Sequence, residues 1–558
     1  MRRSHLLAYG VLVAAAACGG PKLPETVAEM PNLDTSRVLA DITRLSSDEF
    51  QGRAPGGEGE RLTVQYLTDQ FKAAGLAPGN PDGTWVQKVP LVGIRPTVSA
   101  PFTVTQGGKS RQMNVPNDLI TFSRHVTDTV TLANSEMVFV GYGIQAPEFQ
   151  WDDYKGVDVK GKTILMLVND PQIPGSGPGG LDPAVFGGKA MTYYGRWTYK
   201  FDKAAEMGAA AVLVIHETGP AGYPYAVAQA MGGERFSLST PDKNMGKAAV
   251  EGWISLEATT ALLKAAGVDF AAAKAKATTR EFTPVPLKAT ASVTLTQATR
   301  ALDSQNVVAK LTGSDTALNT EYVVYTAHWD HLGVSAPAPD GDTIYNGASD
   351  NASGTAAILE IARAFKSLPV APKRTMVFLA VTAEEQGLLG SEYYARFPLY
   401  PLNRTLANIN VDGMNLWGKT SDVTVIGKGA SDLDDYLEAA AKEMNRTLIS
   451  DPESEKGFYY RSDHFNFAKV GVPAMYLDDG STFVGKPAGY GQQKREQWTA
   501  QDYHKPSDEV KPDWDLAGMA EDGKLYFVVG YRVAQAATYP EWKAGNEFKA
   551  VRDKMLGR

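Results

Sequence analysis

Tyr322-Val-Val-Tyr-Thr-Ala-His328-Trp-Asp330-His331-Leu-Gly333 sets out the fold most plainly. The run up to Ala327 is apolar or β-prone without alternation, which predicts a strand buried on both faces. The chain then passes directly into two histidines and an aspartate. The same arrangement recurs downstream. Arg374–Thr382 ends in Ala383-Glu384-Glu385, Leu406–Val411 ends in Asp412-Gly413, and Val472–Leu477 is a fourth strand. Helical periodicity follows at Ala352–Phe365, Leu388–Arg396, Asp432–Met444 and from about Asp515 to Ala537. Strands alternating with amphipathic helices predict an α/β fold, with a mixed, mostly parallel central sheet covered by helices on both faces.

In open α/β sheets ligands bind outside the carboxyl ends of the strands. Three successive strands deliver His328, Glu384–Glu385 and Asp412 to that edge. Asp350, in Asn346-Gly-Ala-Ser-Asp350-Asn-Ala-Ser-Gly354, opens the helix after the first strand and reaches the same edge. Histidine mixed with carboxylates suits zinc or a similar first-row ion, because Mg²⁺ and Ca²⁺ sites use oxygens alone. The only cysteine is Cys18, so a cysteine-ligated structural zinc is excluded. Three carboxylates buried together need cations, and a pair of divalent ions meets that need. There is no His-Glu-x-x-His helix, no Gly-x-Ser-x-Gly elbow and no cysteine nucleophile beyond the leader.

Six stretches in order carry a family resemblance: Ala327-His-Trp-Asp-His-Leu-Gly333, Gly347-Ala-Ser-Asp-Asn-Ala-Ser-Gly-Thr355, Ala383-Glu-Glu-Gln-Gly-Leu-Leu-Gly-Ser391, Asn410-Val-Asp-Gly-Met414, Arg461-Ser-Asp-His-Phe465 and Tyr503-His-Lys-Pro-Ser-Asp508. Together they resemble the M28 family of dinuclear zinc peptidases, which holds aminopeptidases and glutamate carboxypeptidases. The resemblance implies two zinc ions bridged by Asp350, with His328 and Asp412 completing one site and Glu385 and His504 the other. It implies that Glu384 is the general base acting on a metal-bridging water, that Asp330 holds the His328 ring, and that Tyr459 supports the oxyanion. His331 is expected to line the pocket rather than bind metal; Asp463, His464 and Asp508 are expected to shape it, with the 479–500 loop along its border.

The implied activity is removal of N-terminal residues from peptides. A carboxypeptidase needs clustered arginines for the terminal carboxylate, and near the motifs only Arg53, Arg404 and Arg461 are present, scattered in sequence. That alternative stands beside a glutaminyl cyclase-like acyl transferase and, last, a non-catalytic binding protein.

Upstream the texture changes. Met137–Tyr142 and Val159–Val168 read as strands, and Phe201–Ile215 reads as a helix, a glycine stop and a strand; this unit resembles the protease-associated (PA) domain. The expected organisation is a signal peptide over 1–18, a tether over 19–35, the N-terminal part of the peptidase over 36–130, a PA-type insert over 131–292, the catalytic part over 293–545 and a tail over 546–558. Arg2 and Arg3 followed by the apolar run Leu6–Ala17 read as an export signal, too short to span a bilayer permanently. It resembles a lipoprotein signal with Cys18 as the lipidated residue, which implies a mature protein in the periplasm or cell envelope, touching membrane only through that lipid; read as a plain secretory signal, it implies a secreted protein. A net charge of -8 over 558 residues offers no basic stripe for nucleic acid, and the expected partner is a peptide substrate. His216 is expected to be structural or solvent-facing.

Overall fold

The computed structural model describes residues 23–230, 233–335, 338 and 341–558; the expected signal peptide and Cys18 lie outside the described residues. At the C-terminal end of the chain the strands run Thr447–Ser450, Asp422–Ile426, Ala474–Asp478, Thr405–Asn410, Tyr322–His328, Thr375–Val381 and Val285–Leu311 across one sheet. Tyr322–His328 sits in the middle, parallel to both Thr375–Val381 and Thr405–Asn410, and Thr405–Asn410 is parallel to Ala474–Asp478. Asp422–Ile426 and Val285–Leu311 run antiparallel to their inner neighbours. The sheet is mixed and mostly parallel, as the unbroken apolar runs require.

Alternate residues feed two cores. Val323, Tyr325 and Ala327 join Met376, Phe378 and Ala380 under helices Thr35–Leu45, Glu58–Ala73, Gly354–Lys366, Leu433–Glu443 and Ala517–Gln535. Val324, Val377, Leu379 and Val381 face the other way, onto Tyr394 and Phe467 from helices Leu389–Arg396 and His464–Lys469. Both faces are therefore covered, which is the condition for parallel strands to be stable. Gly530 marks a close approach, since a Cβ there would overlap the Tyr325 hydroxyl.

Val285–Leu311 is 27 residues long and pairs along most of its length with the 21-residue strand Val86–Gln106. Through it the sheet continues into Thr129–Phe139, Thr163–Leu167, Ala211–His216, Val250–Ser255 and Leu119–Phe122. This second part also separates two cores by residue parity, with Leu165, Leu213 and Ile215 on one face and Ile164, Val212 and Val214 on the other. Leu119–Phe122, which precedes residue 131 in sequence, pairs with Val250–Ser255 here. His216 is buried against Tyr223, Tyr225 and Trp253, so of its two expected settings it takes the structural one.

The 479–500 stretch is not all loop: Tyr490–Gln501 is a helix. It escapes a search for periodicity because only Gly491 of its residues is buried, so no apolar stripe marks it.

Candidate metal centre

The carboxyl ends of three parallel strands and one loop bring the predicted side chains together. Ala383 adopts φ +53°, turning the chain sharply after Thr375–Val381; backbone bonds from Leu389 N to Ala383 O and Gly390 N to Thr382 O close the loop that carries Glu384 and Glu385. The helix expected from Ala352 begins instead at Gly354, because Asp350 and Asn351 leave helical geometry. Asn351 explains the shape of that turn. Its side-chain oxygen accepts from Gly354 N and Gly413 N, both at 2.9 Å, while its Nδ2 donates to Val411 O at 3.0 Å. One buried amide thus ties the Asp350 turn to the Asp412 strand end. From the other side the Asp508 carboxylate accepts from Ser349 N and Asp350 N at 3.0 Å each.

His328 Nε2 lies 3.1 Å from Asp412 Oδ1, 3.4 Å from Asp350 Oδ1 and 4.0 Å from Glu384 Oε2. His504 Nε2 lies 3.2 Å from Asp350 Oδ2 and 3.2 Å from Glu385 Oε2. Its side chain is 36% exposed, and its ring stacks on Tyr503 at 3.9 Å, so the loop histidine is held by a ring rather than by a strand. His331 Nδ1 reaches Glu385 Oε1 at 2.6 Å. Two groups of ligand atoms each fall within 4.8 Å of one another: His328, Asp350 and Asp412, and His331, Asp350 and Glu385. His331 and His504 therefore both approach Glu385, while a contact with Asp350 at ion-pair distance is made by His504.

Asp330 is fully buried, and burial raises its carboxyl to about 8. The His328 Nδ1 is closer to the Asp330 carbonyl, at 3.1 Å, than to its carboxylate, at 3.9 Å; the carboxylate accepts from Glu384 N at 3.0 Å. Asp330 thus braces both ends of the centre. Asp463 accepts from Ser391 Oγ, and His464 is sealed without a hydrogen-bond partner. Tyr459 packs its ring against His464, Tyr460 and Phe548 with its hydroxyl buried and unpartnered; among the described residues no contact joins it to the five predicted ligands. Tyr476 comes closer, donating from its hydroxyl to the Asp412 carbonyl at 3.2 Å. Arg53, one of the three arginines near the motifs, is fully buried and donates to four backbone carbonyls, those of Leu45, Trp329, Asn346 and Gly347.

The two adjacent glutamates are driven apart. Burial raises Glu384 well above the ordinary carboxylate range, and Asp412, Glu385 and Asp463 push it further against the pull of His328. Burial also acts to raise Glu385, but His504 and His331 outweigh it and bring Glu385 down to about 2. Such a split assigns different tasks to chemically equal groups. Asp350 is likewise opposed by burial, yet bonds from His328 and His504 hold it well below its usual value. Four half-buried carboxylates outnumber the three imidazoles beside them, and imidazole nitrogens with carboxylate oxygens are the donors a first-row divalent ion takes. The donor set fits metal.

The model of peptidase family M28 matches residues 306–528. Over those residues the chain is similar to peptidase family M28. Aminopeptidase YwaD of Bacillus subtilis is 30% identical over 196 residues, covering 34% of this chain and 36% of that protein. A probable zinc metalloprotease of Pyricularia oryzae is 29% identical over 275 residues, covering 44% and 51%. The chain spans from 20% to 51% of the length of these and two further curated relatives. Among solved structures, an aminopeptidase from Aneurinibacillus sp. strain AM-1 aligns with 90% of this chain and 94% of its own at 20% identity, with a TM-score of 0.49.

Proposed function

We propose that the chain is a zinc-dependent aminopeptidase that hydrolyses N-terminal residues from peptides. One observation carries the reading. The two oxygens of Asp350 face two different imidazoles, Oδ1 toward His328 at 3.4 Å and Oδ2 toward His504 at 3.2 Å. A carboxylate so placed is suited to bridge two cations. His328 and Asp412 would complete the position on one side, Glu385 and His504 the other, with His331 held against Glu385 from behind. Bound zinc ions would supply Lewis-acid polarisation of the scissile carbonyl and a more acidic water.

The chain's own groups do the rest. Glu384 has the raised proton affinity expected of a general base that takes a proton and passes it to the departing amine. The low proton affinity of Glu385 keeps it ionised as a ligand. Asn351, Asp508 and Arg53 fix the turns from which the ligands project, so little reorganisation accompanies the reaction. Residues 131–292 are read as a PA-type insert, and residues 1–18 as an export leader with a lipid on Cys18 that would hold the enzyme at the cell envelope.

Purified protein should carry close to two zinc ions per chain and release p-nitroaniline from leucine p-nitroanilide. Cleavage of N-blocked peptides from the carboxyl end, with aminoacyl anilides untouched, would overturn the aminopeptidase assignment; absence of zinc after mild purification would overturn the enzyme.

A further inference from the structure

Arg196 and Arg461 are brought together from distant parts of the chain. Arg196 caps helix Trp197–Glu206 in the second part of the sheet, and Arg461 follows the turn Phe458–Tyr460 beside the metal centre. The two segments are docked. Met191 N donates to Ser454 O at 3.0 Å, Lys189 pairs with Glu455 at 3.0 Å, and the Tyr193 ring lies 5.0 Å from Phe465 and 6.2 Å from Tyr460.

Neither guanidinium has an acid. Among the described residues no carboxylate lies within ion-pair distance of Arg196 or Arg461, while Arg461 only rests over the Phe458 ring at 5.1 Å. Arg196 Nε is sealed from solvent with no acceptor, although the residue as a whole keeps some contact with solvent. The Tyr223 hydroxyl is sealed and unpartnered too. Burial brings Arg196 down to about 10, and the next largest cause is the charge of Arg461. Both arginines act on Tyr223, and Arg461 also acts on Tyr503, the ring stacked on His504. Two like charges, one of them with a sealed and unpartnered donor, cost folding free energy that no acid among the described residues offsets. An incoming anion would satisfy all three groups, and guanidinium forks match the planar geometry of a carboxylate.

We propose that Arg196, Arg461 and the Tyr223 hydroxyl form a carboxylate-binding subsite on the His504 side of the metal centre, selecting peptides that carry a carboxylate near the scissile bond. The carboxylate is either an acidic side chain or the free C-terminus of a short peptide. The inference rests on the peptidase reading above, and it gives that reading a substrate class.

The test compares kcat/KM of the zinc-loaded enzyme on Leu-Ala-Ala, on its C-terminal amide, on Leu-Asp-Ala amide and on leucine p-nitroanilide. At least one carboxylate-bearing peptide should exceed the neutral amide by about tenfold or more. Which one does so identifies the source. Arg196→Gln and Arg461→Gln should each collapse that ratio through KM, with zinc content and melting temperature near those of the unaltered enzyme, and Arg461→Lys should restore part of it. Equal kcat/KM on charged and neutral peptides, or a ratio untouched by both glutamine variants, would overturn the subsite. If none of the four substrates is cleaved, the peptidase reading fails, and calorimetry decides the subsite. Tighter binding of Leu-Ala-Ala than of its amide would uphold it, and equal affinity would overturn it as well.

Discussion

Arg53→Met removes a side chain that ties two ligand-bearing loops to the N-terminal segment. The guanidinium donates to Leu45 O and Trp329 O at 2.8 Å, to Asn346 O at 2.6 Å and to Gly347 O at 2.8 Å. Methionine replaces the aliphatic stem but orphans the carbonyls of Leu45, Trp329 and Asn346 where water has no access, while Gly347 O still accepts from Ala352 N at 3.1 Å. At roughly 2 kcal/mol for each buried acceptor the gross loss is about 6 kcal/mol. Against it stands the relief of no longer burying a charge. The fall of the Arg53 pKa from 12.5 to about 10 puts that relief at about 3 kcal/mol. A net destabilisation of about 3 kcal/mol is expected in urea unfolding, with Arg53→Lys intermediate because an ammonium cannot reach all four acceptors. Trp329 follows His328, and Asn346 and Gly347 precede Asp350, so zinc affinity measured by chelator competition should fall at least about tenfold. Stability within about 1 kcal/mol of the unaltered protein, together with unchanged zinc affinity, would refute the argument that Arg53 supports the centre.

Glu384→Gln should retain zinc while turnover falls by about two to four orders of magnitude, whereas Glu385→Gln should lose zinc; metal analysis giving the reverse would exchange their roles. Gly530→Ala drives a methyl into the Tyr325 hydroxyl, which itself donates to Tyr526 O at 2.7 Å. It should destabilise by about 1–3 kcal/mol despite the better helix propensity of alanine, and a neutral effect on denaturant midpoint would mean that the helix slides freely. Burial lowers the His464 ring from 6.5 to about 3. The unfolded chain then binds more protons than the folded one between those values, so stability present above pH 6.5 is lost as pH falls. At pH 5 the loss from this group is about 2 kcal/mol, and His464→Gln should flatten that part of the stability profile; an unchanged slope would assign the acid sensitivity elsewhere.

The strand ends were legible because parallel strands buried on both faces leave unbroken apolar runs, after which a histidine or an acid stands out. His328, Glu384, Glu385 and Asp412 are all of that kind. His504 was legible through motif alone, since what holds it is the Tyr503 ring in a loop that no periodicity marks. Asn351 stands within the Gly347–Thr355 motif, yet its task of joining two turns by one amide depends on contacts with Val411 and Gly413 that are distant in sequence. Tyr476 lies near the end of a strand that was recognised, but a tyrosine there reads as core until the fold shows its hydroxyl against Asp412. Arg53 and Arg461 were visible as basic residues without indication of which one is engaged, and Arg196 lay too far upstream to be considered with them. Helix Tyr490–Gln501 was hidden for the opposite reason, being almost wholly solvated.

The strand Val285–Leu311 has a mechanical consequence. It is shared by the two parts of the sheet and clamped along its length to Val86–Gln106. Relative motion of the parts has no slack linker to act through; it must twist a two-stranded ribbon whose hydrogen bonds resist shear. The Arg196–Arg461 junction should therefore open by torsion, elastically and through small angles, and a load applied to one part should be transmitted to the other rather than dissipated between them.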